Sequence, residues 1–556
     1  MQKLWCLRSP DICDDWQEFC RLILAHRPAL DKNKSLDLAA LAAKDVAIDN
    51  KQLKATLNRL AQAQAEGQDV VIFGDYDVDG NCATAILWHG LREIGLTAVP
   101  FIPHRLRHGY GMRQNALAEI FANSKPDLLI TVDNGITANK ALEFCKKEAV
   151  PVIITDHHLP LMKNNEPVLP DALAVVATTR LCGAGVAWFV VKELWRKLGV
   201  KDWQTKILDL LDLVCLATIA DQVPLTGVNR QLVKEGLLKL QHSQRPGLME
   251  LIKISNINPD KLSVDDIGFG LGPKINAIGR LTNTLEALRL LCTSNRKKAA
   301  ELAQVLTRVN GQRQELTTEM MDLAIKQIDE KKLDKIIVVS SDKFHEGIIG
   351  LIASKLVEIY QRPAIAISLN EKIGKASCRS IEGINITELL RTFREELIDV
   401  GGHEMAAGFS FQIDNFATVK KKISQVAKKI TSDQLQPKLE GDLAVKIPLL
   451  YNPDLPQFLA DLAPFGTANP AVIVQVSGRV SSWRFLGTEN QHLRLDLVDE
   501  SGRSISALFW QYAKKQLQIP KRGEEAKILG EIKIDEFRGQ LTPKIFALDF
   551  KLNHPQ

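Results

Sequence analysis

Three aspartates at alternate positions follow an apolar run early in the chain. Residues 70–73 are apolar, and after Gly74 the chain presents Asp75, Asp77 and Asp79. Carboxylates placed this close together repel one another strongly unless a positive charge lies among them. The spacing therefore favours a site for a divalent cation over a packed core.

Three further apolar runs also end in an acid. These acids are Asp133 in the segment DNG, Asp156 in the segment DHH, and Asp221. One aspartate in such a place is often only the N-cap of the next helix. Four such runs in succession, with His157 and His158 beside one of them, favour a metal site instead. Carboxylates with an imidazole and no thiolate suit manganese or magnesium better than structural zinc.

The elements predicted around these acids are those of a parallel sheet. Residues 70–73, 128–132 and 152–155 are typical of buried strands, and helical segments at 82–94 and 138–147 separate them. Such sheets bind ligands beyond the carboxyl ends of their strands. We therefore expect the acids to meet along one edge of the sheet.

Helical patterns precede and follow this sheet. An amphipathic helix is predicted at 51–66, and shorter helices at 16–25 and 36–43 come before it. A long helical pattern at 296–332 predicts a link between two lobes. A second α/β unit with glycine-rich loops begins near residue 335.

The last part of the chain predicts a small β-barrel. Residues 437–556 begin with a helical connection and continue as short alternating strands, as in a Greek-key barrel of the OB type. The fold class is thus α/β with a C-terminal barrel. The predicted domains are a helical extension (1–50), a parallel-sheet domain (51–235), a helical linker (236–334), a second α/β domain (335–436), and the connection with the barrel (437–556).

Composition sets broader limits. The chain has 556 residues, which is too long for one core, and its net charge of +5 permits a nucleic-acid partner without requiring one. No apolar run reaches the length of about 18 residues that spans a membrane, so we expect no membrane partner and a cytoplasmic location. The nine cysteines are scattered without a CxxC pair, which favours reduced packing residues.

The ordered set GDYDVDG, DNG, DHH and Asp221 resembles the four motifs of the DHH phosphoesterase superfamily. Its spacing is most similar to that of the RecJ family of single-strand-specific exonucleases, and the resemblance runs from about residue 50 to the end. It implies two divalent cations, Mn²⁺ or Mg²⁺, which the first motif would hold together with Asp133, His157 and Asp221. Which two of the three aspartates in GDYDVDG bind directly is left open. His158 would donate to a phosphate oxygen, and Asp156 would orient a neighbouring group.

Several polar residues outside these motifs are candidates for binding substrate phosphate. Each lies in a loop with an ordinary interpretation, as a solvated loop, a helix junction or a glycine turn. An arginine fork can give two hydrogen bonds to one phosphate. The resemblance, which extends to a DHHA1 substrate-binding domain, implies that these residues face phosphate: Arg105, Asn276, Arg280, Ser377, Arg379 and His403. Of these, Arg105, Arg280 and Ser377 would meet the 5′ end of a strand.

Aromatic and basic residues alternate in the predicted barrel. Bases of single strands stack on exposed aromatic rings beside cations, at about 1–3 kcal/mol per base. The candidates for stacking are Trp483, Phe485, Trp510 and Tyr512, although for any one of them a place in the barrel core is the more frequent outcome.

These features predict a phosphodiesterase of single-stranded DNA that uses two-metal hydrolysis. The resemblance further implies a single-stranded-DNA-specific 5′-to-3′ exonuclease that releases 5′-mononucleotides, in DNA repair and recombination. By resemblance it would be a monomer that works with a helicase and a single-strand-binding protein. One alternative is a DHH phosphodiesterase of short oligonucleotides or cyclic dinucleotides, which the last 120 residues argue against, because such enzymes lack an OB domain. Another is a non-catalytic single-strand-binding scaffold, which usually loses motif acids.

Overall fold

The computed structural model describes most of the chain and divides it into two compact units. The described residues are 3–28, 30, 36–109, 111–163, 166–282, 284–370, 372–512 and 519–552, without the side chains of residues 106 and 537. The larger unit comprises residues 37–223 and 235–436, and the smaller unit comprises 1–36, 224–234 and 437–556. No helix in the described ranges is both long enough and apolar enough to cross a membrane.

Helices and strands alternate through the larger unit, while strands dominate the smaller one. The strands are β1 (Leu4–Cys13), β2 (Val70–Phe73), β3 (Ala98–Phe101), β4 (Leu128–Val132), β5 (Val152–Asp156), β6 (Leu161–Lys163), β7 (Glu166–Val168), β8 (Ala174–Ala177), β9 (Ile337–Ser341), β10 (Ala364–Leu369), β11 (Ile373–Arg379), β12 (Asp399–Gly402), β13 (Ala406–Gln412), β14 (Lys438–Val445), β15 (Ile473–Leu486), β16 (His492–Val498), β17 (Ser504–Phe509), β18 (Glu525–Phe537) and β19 (Gln540–Leu552). The helices are α1 (Trp16–Ala25), α2 (Asn50–Glu66), α3 (Val78–Glu93), α4 (Arg105–His108), α5 (Gln114–Asn123), α6 (Asn139–Lys147), α7 (Gly183–Leu198), α8 (Trp203–Leu208), α9 (Leu211–Ala220), α10 (Gly227–Gln241), α11 (Pro246–Ile254), α12 (Gly272–Leu281), α13 (Leu285–Cys292), α14 (Arg296–Ile325), α15 (Ile349–Tyr360), α16 (Ile386–Arg391), α17 (Phe416–Ala427) and α18 (Leu455–Leu462).

A five-stranded parallel sheet is the centre of the larger unit. Its order is β3-β2-β4-β5-β8, and every neighbouring pair is parallel. All residues of β2, β4 and β5 are buried, as expected for strands covered by helices on both faces. The predicted parallel sheet is therefore confirmed, and its central strands end in the segments that carry Asp75, Asp133 and Asp156.

The fourth apolar run before an acid is a helix. Residues 211–220 form α9, and all of them except Ala220 are buried. Because the run is apolar on every side, its sequence lacks the stripe that marks an amphipathic helix. Asp221 is the C-cap of this helix, so one candidate ligand comes from a helix end and not from a strand.

A second sheet forms the other α/β part of the larger unit. Its order is β12-β13-β11-β10-β9, with β9 and β10 parallel and the remaining pairs antiparallel. The helix α14, 30 residues long, precedes β9. It is the long helix predicted from the sequence, although it ends at Ile325 and not at residue 332.

The smaller unit contains a closed β-barrel. Strands β15-β16-β17-β19-β18 follow one another in space, and β15 also pairs with β18, which closes the barrel. The inward side chains of these strands form one apolar core, which includes Val476, Leu495 and Phe509. The predicted OB-type barrel is thus confirmed.

Of the other helical predictions, the one at 36–43 is wrong, and the connection that opens 437–556 is only partly helical, with α18 after β14. Residues 4–13 form the strand β1, which pairs in parallel with β14, and β14 lies where a helical connection was predicted. Residues 36–43 form no α-helix but a turn before a short 3-10 segment at Ala43–Val46. Within the extension 1–50, only α1 has the predicted form. A pairing between strands more than 400 residues apart leaves no trace in the local pattern of either strand.

Candidate active site

The loop between β2 and α3 positions the first three aspartates. Asp77 is the N-cap of α3, and its Oδ1 accepts a hydrogen bond from the Gly80 backbone N–H at 3.0 Å. Asp75 accepts one from the neighbouring Tyr76 N–H at 2.7 Å. Asp79 lies in the first turn of α3, with its carboxylate directed towards another helix. The loop therefore gives the three carboxylates different backbone partners.

Asp79 connects α3 to the N-terminus of α7. Its Oδ2 accepts a hydrogen bond from Gly183 N at 2.6 Å, and its Oδ1 accepts one from Ala184 N at 2.7 Å. The positive end of a helix stabilises a carboxylate in this position. A Cβ atom at Gly183 would lie 2.6 Å from Asp133 Cβ, so this close approach requires glycine. Asp79 therefore connects α3 to α7 and also faces the candidate metal site.

Asp133 lies in a strained turn after β4. Its φ angle is +61°, in the left-handed region that few residues other than glycine adopt. Its Oδ1 is buried and, within the described ranges, forms no hydrogen bond to a protein group. Burial and the charge of Asp79 raise the pKa of Asp133 well above its usual range. A buried carboxylate oxygen whose charged form burial disfavours is a ready ligand for a cation.

His157 lies among three carboxylates. Its Nε2 is 3.1 Å from Asp133 Oδ1, 3.6 Å from Asp79 Oδ2 and 3.7 Å from Asp221 Oδ2. Asp221 is the most open of the three, with a side chain that is 31% exposed. One imidazole nitrogen therefore faces acids from α3, from the turn after β4 and from the end of α9.

The candidate ligands form overlapping groups of three. In each group, one possible ligand atom per residue lies within 4.8 Å of the others; the groups are Asp75, Asp77 and Asp133; Asp79, His157 and Asp221; and Asp133, His157 and His158. Carboxylates and imidazole are ligands for manganese or magnesium. The buried Asp133 oxygen, which forms no hydrogen bond within the described ranges, and the crowding of five carboxylates fit such ions. All three aspartates of GDYDVDG belong to these groups, so the geometry leaves each of them available as a ligand.

Asp156 and His158 form a supporting pair beside these groups. The Asp156 carboxylate accepts hydrogen bonds from Ile136 N at 2.9 Å and from His158 Nδ1 at 2.8 Å. Burial raises the pKa of Asp156, but the hydrogen bonds and charge of His158, together with the Ile136 N–H, outweigh it and the net shift is downward. For His158, burial acts against the charged ring, yet the bond to Asp156 raises its pKa to about 9. His158 is therefore an imidazolium at neutral pH, fixed by an ionised Asp156.

Without metal, the protein should lose thermal stability as the pH rises from 5 to 8. Burial raises the pKa values of Asp75 and Asp221 to about 8, with further contributions from Asp77 and Asp79 respectively. In the unfolded chain these groups titrate near pH 4, so between about pH 4 and 8 the folded state binds more protons and stability falls with pH. Cations replace those protons, so millimolar Mn²⁺ should raise the melting temperature by several degrees at pH 8 and by much less at pH 5. Differential scanning fluorimetry measures both, and equal shifts at the two pH values would contradict the assignment.

Four arginines converge next to this centre without acidic partners. The guanidinium of Arg105 lies over the Tyr76 ring, 5.2 Å from its centroid, and Arg280 donates to Gly347 O at 3.1 Å. Burial, and then the charges of Arg105 and Arg313, lower the pKa of Arg280 to about 10. Among the described residues, no ion pair joins Arg105, Arg280, Arg313 or Arg379 to a carboxylate. Half-buried cations that repel one another in this way are a favourable site for an anion.

The N-terminus of α15 adds backbone donors to this arginine cluster. Arg379 donates from Nη1 to Ser377 Oγ at 3.2 Å. A Cβ atom at Gly350, in the first turn of α15, would lie 3.2 Å from Ser377 Oγ and 3.3 Å from Arg379 Nη2. The first N–H groups of a helix attract anions. Arginine forks, a serine hydroxyl and a helix N-terminus together match a phosphate group.

The other predicted phosphate contacts lie elsewhere. Asn276 uses its side-chain oxygen to accept a hydrogen bond from Val78 N at 3.0 Å, so it holds the loop of the first motif. His403 is exposed, and within the described ranges only its backbone forms hydrogen bonds. Their contacts to phosphate stay predictions. Arg313 was not predicted to be among the arginines of this cluster, because only the spacing of apolar residues in α14 was used, to predict a helix.

The barrel aromatics separate into two pairs. Trp483 is 41% exposed and Trp510 is 50% exposed, and the Trp510 ring meets His492 edge-on at 4.5 Å between centroids. Tyr512 is only 3% exposed and packs against Phe509 in the core, so the prediction that it stacks on a base is wrong. Phe485 is half-buried against the same core. A ring whose faces are covered by the barrel cannot accept a base.

Three family profiles match the chain, in the order in which these elements occur. The DHH family N-terminal domain matches residues 69–218, the DHHA1 domain matches 333–429, and the RecJ OB domain matches 442–549. The first match contains four of the five acids of the metal groups, and the second contains Ser377 and Arg379.

Curated proteins and solved structures agree with these matches. The chain is 32% identical to the single-stranded-DNA-specific exonuclease RecJ of Bacillus subtilis over 90% of its own length, and it spans 63% of that relative. It is 31% identical to RecJ of Haemophilus influenzae, covering 89% of this chain and 90% of the relative. The structure of RecJ from Thermus thermophilus with Mn²⁺ matches with a TM-score of 0.79 at 29% identity, covering 100% of this chain and 80% of the other. The same protein was also solved with Mg²⁺. The chain therefore belongs to the RecJ family of single-stranded-DNA-specific exonucleases.

Proposed function

We propose that this protein is a metal-dependent exonuclease that degrades single-stranded DNA from its 5′ end and releases 5′-mononucleotides. The observation that carries the proposal is the pairing of two sites in one unit. A group of five carboxylates and two histidines adjoins four arginines that have no acidic partner among the described residues. The first suits metal-assisted hydrolysis of a phosphodiester, and the second suits capture of a strand's phosphates.

The metal centre would be held by residues of the larger unit. Two cations, Mn²⁺ or Mg²⁺, would take their ligands from Asp75, Asp77, Asp79, Asp133, His157 and Asp221. When bound, such ions lower the pKa of water and neutralise the scissile phosphate. The buried backbone contacts of Asp77 and Asp79 keep these carboxylates in place before substrate arrives.

His158 would act on the phosphate itself. Its ring is protonated at neutral pH and donates from Nδ1 to Asp156. The second ring N–H of an imidazolium can donate to a phosphate oxygen as negative charge increases during attack. Asp156 is then a positioning residue, because it fixes the charge and the orientation of the histidine.

The arginine cluster would bind the end of the strand. Arg105, Arg280 and Arg379 can each hydrogen-bond phosphate oxygens, with Ser377 and the α15 N-terminus beside them. An anion would relieve the mutual repulsion of the guanidiniums. Binding of a terminal phosphate at a fixed distance from the metal centre explains release of single nucleotides.

A nuclease assay tests the proposal. Purified full-length chain with Mn²⁺ should release mononucleotides from a long single strand labelled at each nucleotide, should leave blunt duplex uncut, and should stop when EDTA is added. Release of label from the 5′ end first supports the polarity. Cleavage of dinucleotides alone would indicate a short-oligonucleotide phosphodiesterase, and binding without cleavage would indicate a scaffold; either result contradicts the proposal.

Further properties stay predictions. They are a role in DNA repair and recombination, a monomeric state, a cytoplasmic location, and cooperation with a helicase and a single-strand-binding protein. The exposed Trp483 and Trp510 of the barrel are the candidates for contacts with a longer strand.

A further inference from the structure

One phenylalanine in the larger unit is almost completely exposed. Phe269 has 85% of its surface open to solvent, the largest fraction of any large apolar side chain in the described residues. Exposed apolar residues are common, but a ring this open loses nearly all the free energy that burial would supply. Such a ring needs an explanation from its surroundings.

The backbone around Phe269 holds the ring outward. Residues 266–271 form a π-helical turn, a rare form that often occurs at functional sites. Ile267 and Leu271, two residues to either side, are fully buried and anchor the turn. Gly268 and Gly270 flank the ring and place no side chain beside it. The ring is therefore held open to solvent on a fixed support.

This turn adjoins the metal centre. It leads directly into α12 at Gly272, where a Cβ atom would lie 3.7 Å from Ala220 Cβ and 3.9 Å from Val78 Cγ2. Ala220 precedes Asp221, and Val78 follows Asp77. The same helix carries Arg280 of the arginine cluster. Phe269 lies three residues before Gly272, within one helical turn. Gly272 packs against Ala220 and Val78, the neighbours of the candidate ligands Asp221 and Asp77.

We propose that Phe269 stacks on a nucleobase of the bound single strand beside the metal centre. The proposal rests on the function proposed above. The acids and arginines nearby can hold only the phosphates of a strand, whereas each base brings an apolar π-face that matches an isolated phenyl ring. Every base has such a face, so the contact would hold strands of any sequence in place for cleavage.

The size of the feature favours a base over a protein partner. Protein interfaces bury about 800 Å² on each partner and contain contiguous apolar groups. A lone ring between two glycines offers only the area of one stacked base.

Phe269→Ala and Phe269→Trp test this contact in the full chain with Mn²⁺. The substrates are 5′-phosphorylated oligothymidylates, either intact or with one abasic site at successive positions from the 5′ end. Phe269→Ala should lower kcat/KM on the intact strand by about 5- to 150-fold, as loss of one stacked base predicts. Phe269→Trp keeps a π-face and should retain most of the activity. Ile359→Ala, which removes a 54% exposed side chain from α15, is the control and should match the parent protein.

The abasic series separates stacking from other roles. At one position, an abasic site should slow the parent protein by the factor that Phe269→Ala causes, and should not slow Phe269→Ala further. Equal losses for both proteins at every position would overturn the proposal, as would unchanged kcat/KM in Phe269→Ala. A loss of self-association in Phe269→Ala at unchanged kcat/KM would assign the ring to contacts between copies and would also overturn it.

A separate failure would identify the proposed function as the error. If the parent protein cuts no intact strand, the exonuclease proposal fails, and fluorescence anisotropy with the same oligonucleotides then tests the ring alone. Weaker binding of Phe269→Ala, restored in Phe269→Trp, would support the base contact. Equal affinity of all three proteins would reject it.

Discussion

Replacement of Asp133 by asparagine should lower kcat for strand hydrolysis by about 10³-fold or more, since loss of several kcal/mol of metal-assisted stabilisation costs a factor of ten per 1.4 kcal/mol. Asp133 belongs to two of the three groups of ligands, and its buried Oδ1 lies 3.1 Å from His157 Nε2, another candidate ligand. Asparagine has almost the same shape but offers no negative charge. Single-turnover rates with Mn²⁺ measure the loss, and affinity for single-stranded DNA should change little because the arginine cluster is intact.

The same substitution should stabilise the metal-free protein. Asp133 carries a carboxyl whose pKa is raised well above its usual range by burial and by Asp79, so its ionised form destabilises the fold at neutral pH. The melting temperature in EDTA should therefore rise, which separates lost chemistry from lost folding. Asp171→Asn is the matched control, because its side chain is 84% exposed and should change neither quantity. Activity of Asp133→Asn close to that of the parent protein would remove Asp133 from the metal centre.

The sheet that carries this centre was predictable from short-range pattern. Runs of buried β-branched residues alternate with helical segments, and parallel strands place their carboxyl ends at one edge. That rule alone brings Asp75, Asp133 and Asp156 together. Asp221 was predicted from its motif, but the helix that presents it has no amphipathic period and could not be distinguished from a strand.

The roles of the individual acids depend on tertiary contacts that the sequence does not show. Asp79 binds the N-terminus of α7, more than 100 residues further along the chain. Asp156 accepts hydrogen bonds from His158 and from the Ile136 backbone, and so it orients His158 beside the metal groups. Spacing groups the acids correctly, but only packing shows which of them also hold helices in place.

Long-range pairing also explains what was missed outside the centre. Strand β1 is polar at several positions and becomes a strand because β14 is beside it. Arg313 lies on α14, where the apolar period suggests only a linker, yet its charge contributes to lowering the pKa of Arg280. Function at such positions comes from convergence of elements that are distant in the chain.

Replacement of Arg280 by glutamine should lower kcat/KM on 5′-phosphorylated single strands by about 30- to 4,000-fold, since truncating one partner of a buried, hydrogen-bonded charge pair costs 2–5 kcal/mol. Its side chain is half-buried, and repulsion from Arg105 and Arg313 contributes to a pKa of about 10, so a bound phosphate would remove an unfavourable interaction as well as form hydrogen bonds. Steady-state kinetics on matched strands with a 5′-phosphate or a 5′-hydroxyl measure how much of the loss depends on the terminal phosphate.

The arginine cluster makes a second, opposite prediction for the protein without DNA. Glutamine at position 280 removes one of four mutually repelling charges, so the melting temperature should stay the same or rise while substrate binding weakens. Arg280→Lys keeps the charge but loses the fork, and should recover only part of the activity because one ammonium cannot make a bidentate contact. Arg289→Gln is the control, since Arg289 forms a surface ion pair with Glu286 at 2.9 Å outside the cluster. If Arg280→Gln lowered the melting temperature without changing the preference for a 5′-phosphate, Arg280 would be a residue that only links α12 to Gly347, and it would no longer belong to the anion site.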